Sequence, residues 1–225
     1  MRLTLALLIL IIAQSCSSIK SSTKQTQANP AKTSSQKPKA VESRFKEGDS
    51  LKKYFKGTKV QLLDGKTKKV SELLDSKKKN ILVAVKPHCI FCQTLLATLV
   101  QNSKNKELLA EGKTLAKDTV APVDINANII FFTDAHHSSL EEFKAEAKSH
   151  ESIAATWVYD LDNKLSRDFA VTAFPRFLIF DQDTKLVVDK RGLIPPENPE
   201  ELKGMEVPAV LRKICENSVA WLAQQ

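Results

Sequence analysis

A short apolar stretch followed by two closely spaced cysteines constrains this chain more than any other feature. Ile81–Val85 is a run of five apolar residues, which is typical of a strand buried on both faces. After the second cysteine, apolar residues recur at the spacing of one helix face. The cysteines are Cys89 and Cys92, and the helix-face positions are Cys92, Leu95, Leu96 and Leu99. The pattern therefore predicts a strand, then a cysteine pair, then a helix.

The rest of the chain alternates between strand and helix patterns. Val60–Val70 predicts a hairpin around Asp64-Gly65, after which Ser71 is expected to cap a helical turn over 72–75. Strands are predicted over 128–133, 156–159, 177–180 and 185–188; helices over 138–149 (capping box Ser138 to Glu141), 163–169 and 207–222. Residues 101–127 stay unassigned except for helical character around 106–117. A mixed α/β sheet with helices on both faces follows.

The first 16 residues carry an export pattern. Arg2 precedes the apolar stretch Leu3–Ala13, which is too short to cross a bilayer and fits a signal peptide, here assigned to residues 1–15. Cleavage after Ser15 would leave Cys16 first, and this resembles a bacterial lipoprotein signal in which that cysteine is acylated. The sequence Ala13-Gln14-Ser15 also suits ordinary signal peptidase, which would leave Cys16 as a free thiol.

The net charge of +8 is concentrated at the N-terminus. Residues 1–46 hold eight of the 34 Lys and Arg residues but one of the 26 Asp and Glu residues. The remainder is therefore nearly neutral, which argues against a nucleic-acid partner, since phosphate binding needs clustered positive charge. Residues 16–46 are rich in Ser, Thr, Lys, Gln and Pro and are expected to form a disordered tether. Residues 47–225 are expected to form the folded domain.

The cysteine pair is the candidate reactive site. A helix N-terminus favours a thiolate over a thiol, and Lys86 and His88 would add positive potential beside Cys89. Cys89 can then attack a disulfide, and Cys92, one turn later, can resolve the product. Two alternatives stay open: a structural zinc site, for which the sequence offers no second ligand pair, and an inert structural disulfide.

The order of these elements resembles the thioredoxin fold, and over about residues 47–194 it resembles the exported TlpA-like oxidoreductases. The features shared with that group are Asp64-Gly65-Lys66, Val70–Leu73 and the region inserted before 156–160. The resemblance implies that Pro175 is cis beside the cysteine pair and that the backbone at Phe174 pairs with substrate. Two positions depart from the pattern: His88 replaces an aromatic residue, and Val83 replaces the buried Asp of thioredoxin.

The expected function is that of an exported thiol–disulfide oxidoreductase that acts on protein thiols and disulfides, with an upstream electron donor or acceptor and no cofactor or metal. The expected location is the periplasm or cell envelope, with a lipid anchor at Cys16. The alternative is a thioredoxin-like binding or metal-chaperone module without catalysis. His136 and His137 are interpreted as loop residues; Cys215, Trp157 and Trp221 are interpreted as core.

Overall fold

The structure, a computed structural model, describes residues 43–117 and 119–225. A seven-stranded sheet with the order β2-β1-β5-β4-β3-β6-β7 runs through the domain. The strands are β1 (Lys59–Leu62), β2 (Thr67–Lys69), β3 (Lys79–Ala84), β4 (Ala127–Asp134), β5 (Thr156–Asp160), β6 (Arg176–Phe180) and β7 (Leu186–Arg191). The helices are α1 (Leu51–Tyr54), α2 (Ile90–Ala110), α3 (Leu140–Ser149), α4 (Lys164–Asp168) and α5 (Val207–Gln224).

Strand direction gathers several chain segments at one edge of the sheet. Strands β3, β4 and β5 are parallel, whereas β6 runs antiparallel to β3. The carboxyl ends of the three parallel strands therefore lie at the same edge as the beginning of β6. The segment that leads to Cys89 follows β3, and Pro175 immediately precedes β6. The predicted fold class, a mixed sheet with helices on both faces in a thioredoxin-like arrangement, is confirmed.

Alternating side chains along the strands build one core on each side of the sheet. Helices α2, α3 and α5 cover the side called here the cysteine side, where Cys92, Leu95 and Leu96 are buried. Helices α1 and α4, with the segment that begins at residue 43, cover the other side, called here the aromatic side. Its buried phenylalanines are Phe45, Phe55, Phe132, Phe169 and Phe180. Both sides of the central strands are covered, as their continuous apolar sequences predict.

The ordered fold reaches further toward the N-terminus than the sequence predicts. Phe45 lies within the segment assigned to the tether, yet only 1% of its surface is exposed. The backbone amides of Arg44 and Phe45 both donate hydrogen bonds to the carbonyl oxygen of Asp168, at 2.8 and 3.2 Å. Although this segment is mostly polar, one aromatic residue, Phe45, packs into the core of the aromatic side and anchors the segment there.

Three local predictions need correction. After β2 the chain forms a 3-10 helix over Val70–Glu72 instead of a turn capped by Ser71. The capping box of α3 lies one residue later than predicted, with Ser139 as N-cap and Glu142 as its partner. Helix α2 extends to Ala110, so it includes 101–105, for which no element is predicted, and ends within 106–117, where helical character is predicted. Beyond Leu99 its one buried residue is Asn105, so the second half of the helix has no apolar stripe in its sequence.

The signal peptide, Cys16 and the tether up to residue 42 lie outside the described residues. Across 43–117 and 119–225, no helix combines the length and the apolar character needed to span a membrane.

Candidate active site

Cys89 occupies the N-cap position of α2. Its backbone is extended, with φ −85° and ψ 113°, and the helix begins at Ile90. The preceding residue, His88, has a φ of +61°, a left-handed conformation that is uncommon for residues other than glycine. The Cys89 amide donates to the carbonyl of Lys86 at 3.2 Å, which closes the turn between β3 and α2. Cys89 is thereby held at the helix terminus, where unpaired amides favour negative charge.

The two cysteines differ in exposure because Cys89 is the N-cap residue, whereas Cys92 lies within the first turn of the helix and faces the core. Cys89 is partly buried, whereas Cys92 is 1% exposed and packs in the core of the cysteine side. The residues between them point outward, with 60% of Ile90 and 47% of Phe91 exposed. An incoming partner would therefore meet Cys89 first, with Ile90 and Phe91 around it.

Hydrogen bonding between the two cysteines shifts their pKa values in opposite directions. The Cys92 thiol donates to the Cys89 sulfur, and with the amides of Cys92 and Phe91 and the charge of Lys86 it lowers the pKa of Cys89 to about 6. The same hydrogen bond and burial raise the pKa of Cys92 far above its usual range. Near neutral pH, Cys89 is therefore the thiolate and Cys92 the proton donor to it.

The segment before β6 forms the opposite wall of the site. The peptide bond between Phe174 and Pro175 is cis, as the resemblance implied. The Cys89 sulfur lies 4.0 Å from the carbonyl oxygen of Phe174. The next residue, Arg176, is fully buried and pairs with both carboxylate oxygens of Asp189, at 2.8 and 2.6 Å. This ion pair joins the beginning of β6 to β7 and fixes the backbone that carries Phe174 and Pro175.

The two basic residues named from the sequence are positioned differently. Lys86 is exposed, and its charge contributes to the lowered pKa of Cys89. The imidazole of His88 is also exposed, but its Nε2 atom faces the Oε1 atom of Glu142 on α3 at 3.8 Å. Lys86 is therefore part of the electrostatic environment of Cys89, whereas His88 pairs with an acidic residue of the neighbouring helix.

A contact that the sequence prediction missed involves His137. Its Nδ1 atom lies 2.7 Å from the Oδ1 atom of Asp134, which is fully buried at the end of β4. Its ring meets the ring of Phe174 edge-on, with the centroids 4.7 Å apart. Among the described residues, the other Asp134 oxygen has no hydrogen-bond partner. His137 is a loop residue, as interpreted from the sequence, but it also supports the wall beside Cys89.

Thioredoxin has a buried Asp on the strand before the cysteine pair, at the position of Val83. In this chain the acidic residue that influences the pair is Glu146, which lies on helix α3. Val83 is apolar and buried in β3, so that strand supplies no carboxylate. Glu146 on α3 has 11% of its side chain exposed, and its carboxylate lies 3.6 Å from the imidazole of His150. Its negative charge is one of the causes of the raised pKa of Cys92. Sequence periodicity gives no signal for this proximity, because α3 and α2 are separated by β4.

The remaining residues named from the sequence lie in or against the core. Cys215 is fully buried on α5, and burial raises its pKa to about 12. Trp157 is buried, and Trp221 packs against the core of the cysteine side. Within the described part of the chain, no group of three or more His, Cys, Asp or Glu side chains is arranged to hold a metal ion.

A comparison with protein families agrees with this architecture. The fold and the cysteine pair at a helix start define a thioredoxin-like domain. The chain belongs to the thioredoxin-like domain family, whose sequence profile matches residues 67–203. A comparison with curated proteins gives no match.

Solved structures with a similar backbone course include proteins from three bacteria. A secreted disulfide oxidoreductase of Mycobacterium tuberculosis is 15% identical, with coverage of 65% of this chain and 91% of that one and a TM-score of 0.42. The exposed lipoprotein thioredoxin of Streptococcus pneumoniae is 23% identical, with coverages of 70% and 97% and a TM-score of 0.40. The thioredoxin domain of a Bacteroides vulgatus thiol-disulfide oxidoreductase is 14% identical, with coverages of 66% and 91% and a TM-score of 0.44.

Proposed function

We propose that this protein is an exported thiol–disulfide oxidoreductase in which Cys89 is the nucleophile and Cys92 the resolving cysteine. The observation that carries the proposal is the placement of the two sulfurs at one helix terminus, with Cys89 accessible at the N-cap and Cys92 buried in the first turn. Cys89 is accessible and has its pKa lowered to about 6, whereas Cys92 is buried and has its pKa raised. One sulfur can attack at neutral pH, and the other stays protonated until the first has reacted.

The reaction proceeds in two exchange steps. The Cys89 thiolate attacks one sulfur of a partner disulfide; a Cys89–partner disulfide forms, and the other partner sulfur leaves as a thiolate. Cys92 then attacks the Cys89 sulfur, its proton passes to the departing partner sulfur, and a Cys89–Cys92 disulfide forms. The partner has gained two electrons and this protein has lost two. The reverse sequence oxidises a partner dithiol, and the relative reduction potentials set the direction.

The walls of the site have defined parts in these steps. The carbonyl of Phe174, 4.0 Å from the Cys89 sulfur, lies where a partner backbone would align. Lys86 stabilises the attacking thiolate through its charge. Loss of the Cys89 negative charge, once the mixed disulfide has formed, removes one of the causes that keep the Cys92 pKa high. The first step therefore prepares the second.

Trapping of covalent partners tests the assignment. Cys92→Ser should abolish turnover of a protein disulfide and accumulate disulfide-linked partners on non-reducing gels, whereas Cys89→Ser should abolish both. Cys215→Ser is the matched control, since Cys215 is fully buried, and it should retain turnover. Trapping by Cys89→Ser would reverse the roles. No trapping by either variant would favour a binding or metal-chaperone module.

Export and anchoring form a separate part of the proposal. The apolar stretch Leu3–Ala13 and Cys16 support a lipid-anchored protein of the cell envelope with a signal peptide over 1–15. The tether that begins at residue 16 ends before the predicted residue 46, because Phe45 is buried in the domain. The acylated protein should partition into the detergent phase, and Cys16→Ser should move it to the aqueous phase. Ser17→Ala, at the next position, is the control. Equal partitioning of the Cys16→Ser variant and the unmodified protein would overturn the anchor.

A further inference from the structure

A long groove between α2 and α5 opens directly beside the cysteine pair. It encloses a volume of about 680 Å3, which lies in the range of specific ligand sites. Ile90, the residue after Cys89, lines one end. The groove continues between α2 and α5, and Leu211 and Val219 line its α5 wall. The groove therefore begins at the residue that follows Cys89 in the chain.

The third wall of the groove is a loop that hydrogen bonds hold against α2. The side chain of Asn102 bonds both the amide and the carbonyl of Val123, at 2.9 and 3.0 Å. Asn105, which is 4% exposed, donates to the carbonyl of Val120 at 3.3 Å. Gln101 in turn donates to Asn105 at 2.7 Å. Because these amides are paired with the loop, they shape the groove and leave its contact surface mainly to apolar groups.

Exposed apolar side chains cluster around this groove. Val120 and Val207, both lining the groove, are 53% and 52% exposed, and Ile90 at its end is 60% exposed. Phe91, also exposed, follows Ile90 in the chain. Exposed apolar residues that share one patch indicate an interaction site, whereas single ones carry no such meaning.

The N-terminal part of the chain is a poor occupant for this groove. Residues 17–46 are mostly Ser, Thr, Lys, Gln, Ala and Pro, and the large apolar residues among them are Ile19, Val41 and Phe45. Phe45 is already buried on the aromatic side. Such a segment has too few apolar side chains to cover a groove of this length.

We propose that the groove binds an apolar segment of the redox partner, namely the residues that flank the partner cysteine joined to Cys89. This inference rests on the proposed function. A partner held by a disulfide at Cys89 has its neighbouring residues within a few ångströms of Ile90, at the end of the groove. An extended chain advances about 3.3 Å per residue, so three or four residues reach well into the groove. Preferred partners are therefore proteins whose reactive cysteine lies in an apolar sequence.

Two synthetic peptides test the groove. Each carries one cysteine as a mixed disulfide with thionitrobenzoate, with three Leu or Val residues on both sides in one peptide and three Ser residues in the other. The full chain with Cys16→Ser and Cys92→Ser is mixed with each peptide, and released thionitrobenzoate gives the second-order rate constant. The apolar peptide should react about tenfold faster, the ratio for burial of roughly one large side chain.

Substitutions on two of the three groove walls, the loop and α5, locate the effect. Val120→Asp and Val207→Asp should each remove most of this preference and leave the rate with the Ser peptide unchanged. Both positions are more than half exposed, so the charge should not disturb folding, which denaturant unfolding checks. Val187→Asp on β7, at a position 41% exposed and outside the groove, is the matched control and should keep the preference.

Each failure has its own meaning. Equal rates with both peptides would overturn the groove and leave the chemistry of Cys89 intact. Absence of reaction with either peptide would overturn the proposed function itself. Light scattering adds a further outcome: if the unmodified chain dimerises and Val120→Asp makes it monomeric, a second copy occupies the groove and the inference fails.

Discussion

The two sides of the sheet differ in how closely the elements that cover them are packed. On the aromatic side, the ring of Phe45 lies 5.8, 5.2 and 5.9 Å from the rings of Phe55, Phe169 and Phe180. On the cysteine side, the two long helices that bury Cys92 leave an open groove of about 680 Å3 between them. The difference indicates that the aromatic side supplies stability, while the cysteine side combines a core with accessible surface for a partner.

The largest effect is expected from a substitution on the aromatic side. Phe169→Ala should lower the free energy of unfolding by about 3–5 kcal/mol, because it removes a fully buried ring from a cluster of aromatic contacts. Denaturant unfolding measures this loss. In the folded variant, the rate of Cys89 alkylation against pH should be unchanged. Phe91→Ala, at a position 47% exposed, is the control and should alter stability by less than about 1 kcal/mol. A shift in the pH dependence of Cys89 alkylation in Phe169→Ala would show that packing on the aromatic side also influences the cysteine pair.

A substitution at the ion pair of β6 and β7 should affect both properties. Asp189→Asn leaves the buried Arg176 guanidinium without its charged partner, which should cost about 3 kcal/mol of stability. Because Arg176 follows Pro175, turnover should fall as well. Asp183→Asn, an exposed change of the same type, should change neither quantity. If Asp189→Asn lowers stability and leaves turnover intact, the ion pair stabilises the fold but does not position Phe174 and Pro175 for the reaction.

The stability of the reduced protein should rise with pH, and the cause lies on the cysteine side. The folded pKa of Cys89, about 6, is below the 9.0 of an unperturbed cysteine thiol. Cys89 therefore contributes stability that builds up between about pH 6 and pH 9, is fully present above pH 9, and is lost as the pH falls through 6, with a slope of at most ~1.4 kcal/mol per pH unit. The raised pKa of Cys92 adds no dependence in this window, because Cys92 is protonated in both states below pH 9. Unfolding of reduced protein and of Cys89→Ser at several pH values measures the difference; equal pH dependence would contradict the assignment.

The smallest effect is expected at Glu146. Its negative charge is one cause of the raised pKa of Cys92, so Glu146→Gln should lower that pKa and modestly speed alkylation of Cys92 at alkaline pH. Mass spectrometry after alkylation in a Cys89→Ser background measures the rate at Cys92 separately. Glu141→Gln, an exposed change on the same helix, serves as the control. A slower reaction in Glu146→Gln would mean that this carboxylate assists the thiol as a proton acceptor.

Local sequence signals predicted the framework well and the contacts around the site incompletely. The central strands are continuous apolar runs, and the cysteine pair directly follows one of them, so the strand, the helix start and the exposure of Cys89 could be predicted from neighbouring residues. The contact between His137 and Phe174 joins residues far apart in the chain, and no periodic pattern announces it. The proximity of Glu146 to Cys92 depends in the same way on how α3 packs beside α2.

Helix α2 shows the limit of periodicity most directly. Its first half has the apolar face that predicts a helix, but its second half buries only Asn105, whose amide binds a loop. A helix stabilised by side-chain amides has no apolar stripe to recognise, which is why the sequence of 101–127 indicates only helical character around 106–117. The loop wall of the groove, which binds to this half of α2, was unpredictable for the same reason.

The anchoring of Phe45 has a mechanical consequence. The amides of Arg44 and Phe45 both donate to the carbonyl oxygen of Asp168, the hydroxyl of Ser43 donates to the carbonyl oxygen of Phe45 at 2.6 Å, and the Phe45 ring is enclosed behind them. Tension applied to the chain before residue 43 would be borne first by this cluster, on the side of the sheet opposite α2. The force would therefore enter the domain on the side of the sheet away from Cys89 and Cys92. Pulling on the N-terminal segment would detach Phe45 from its cluster before it distorted the cysteine pair.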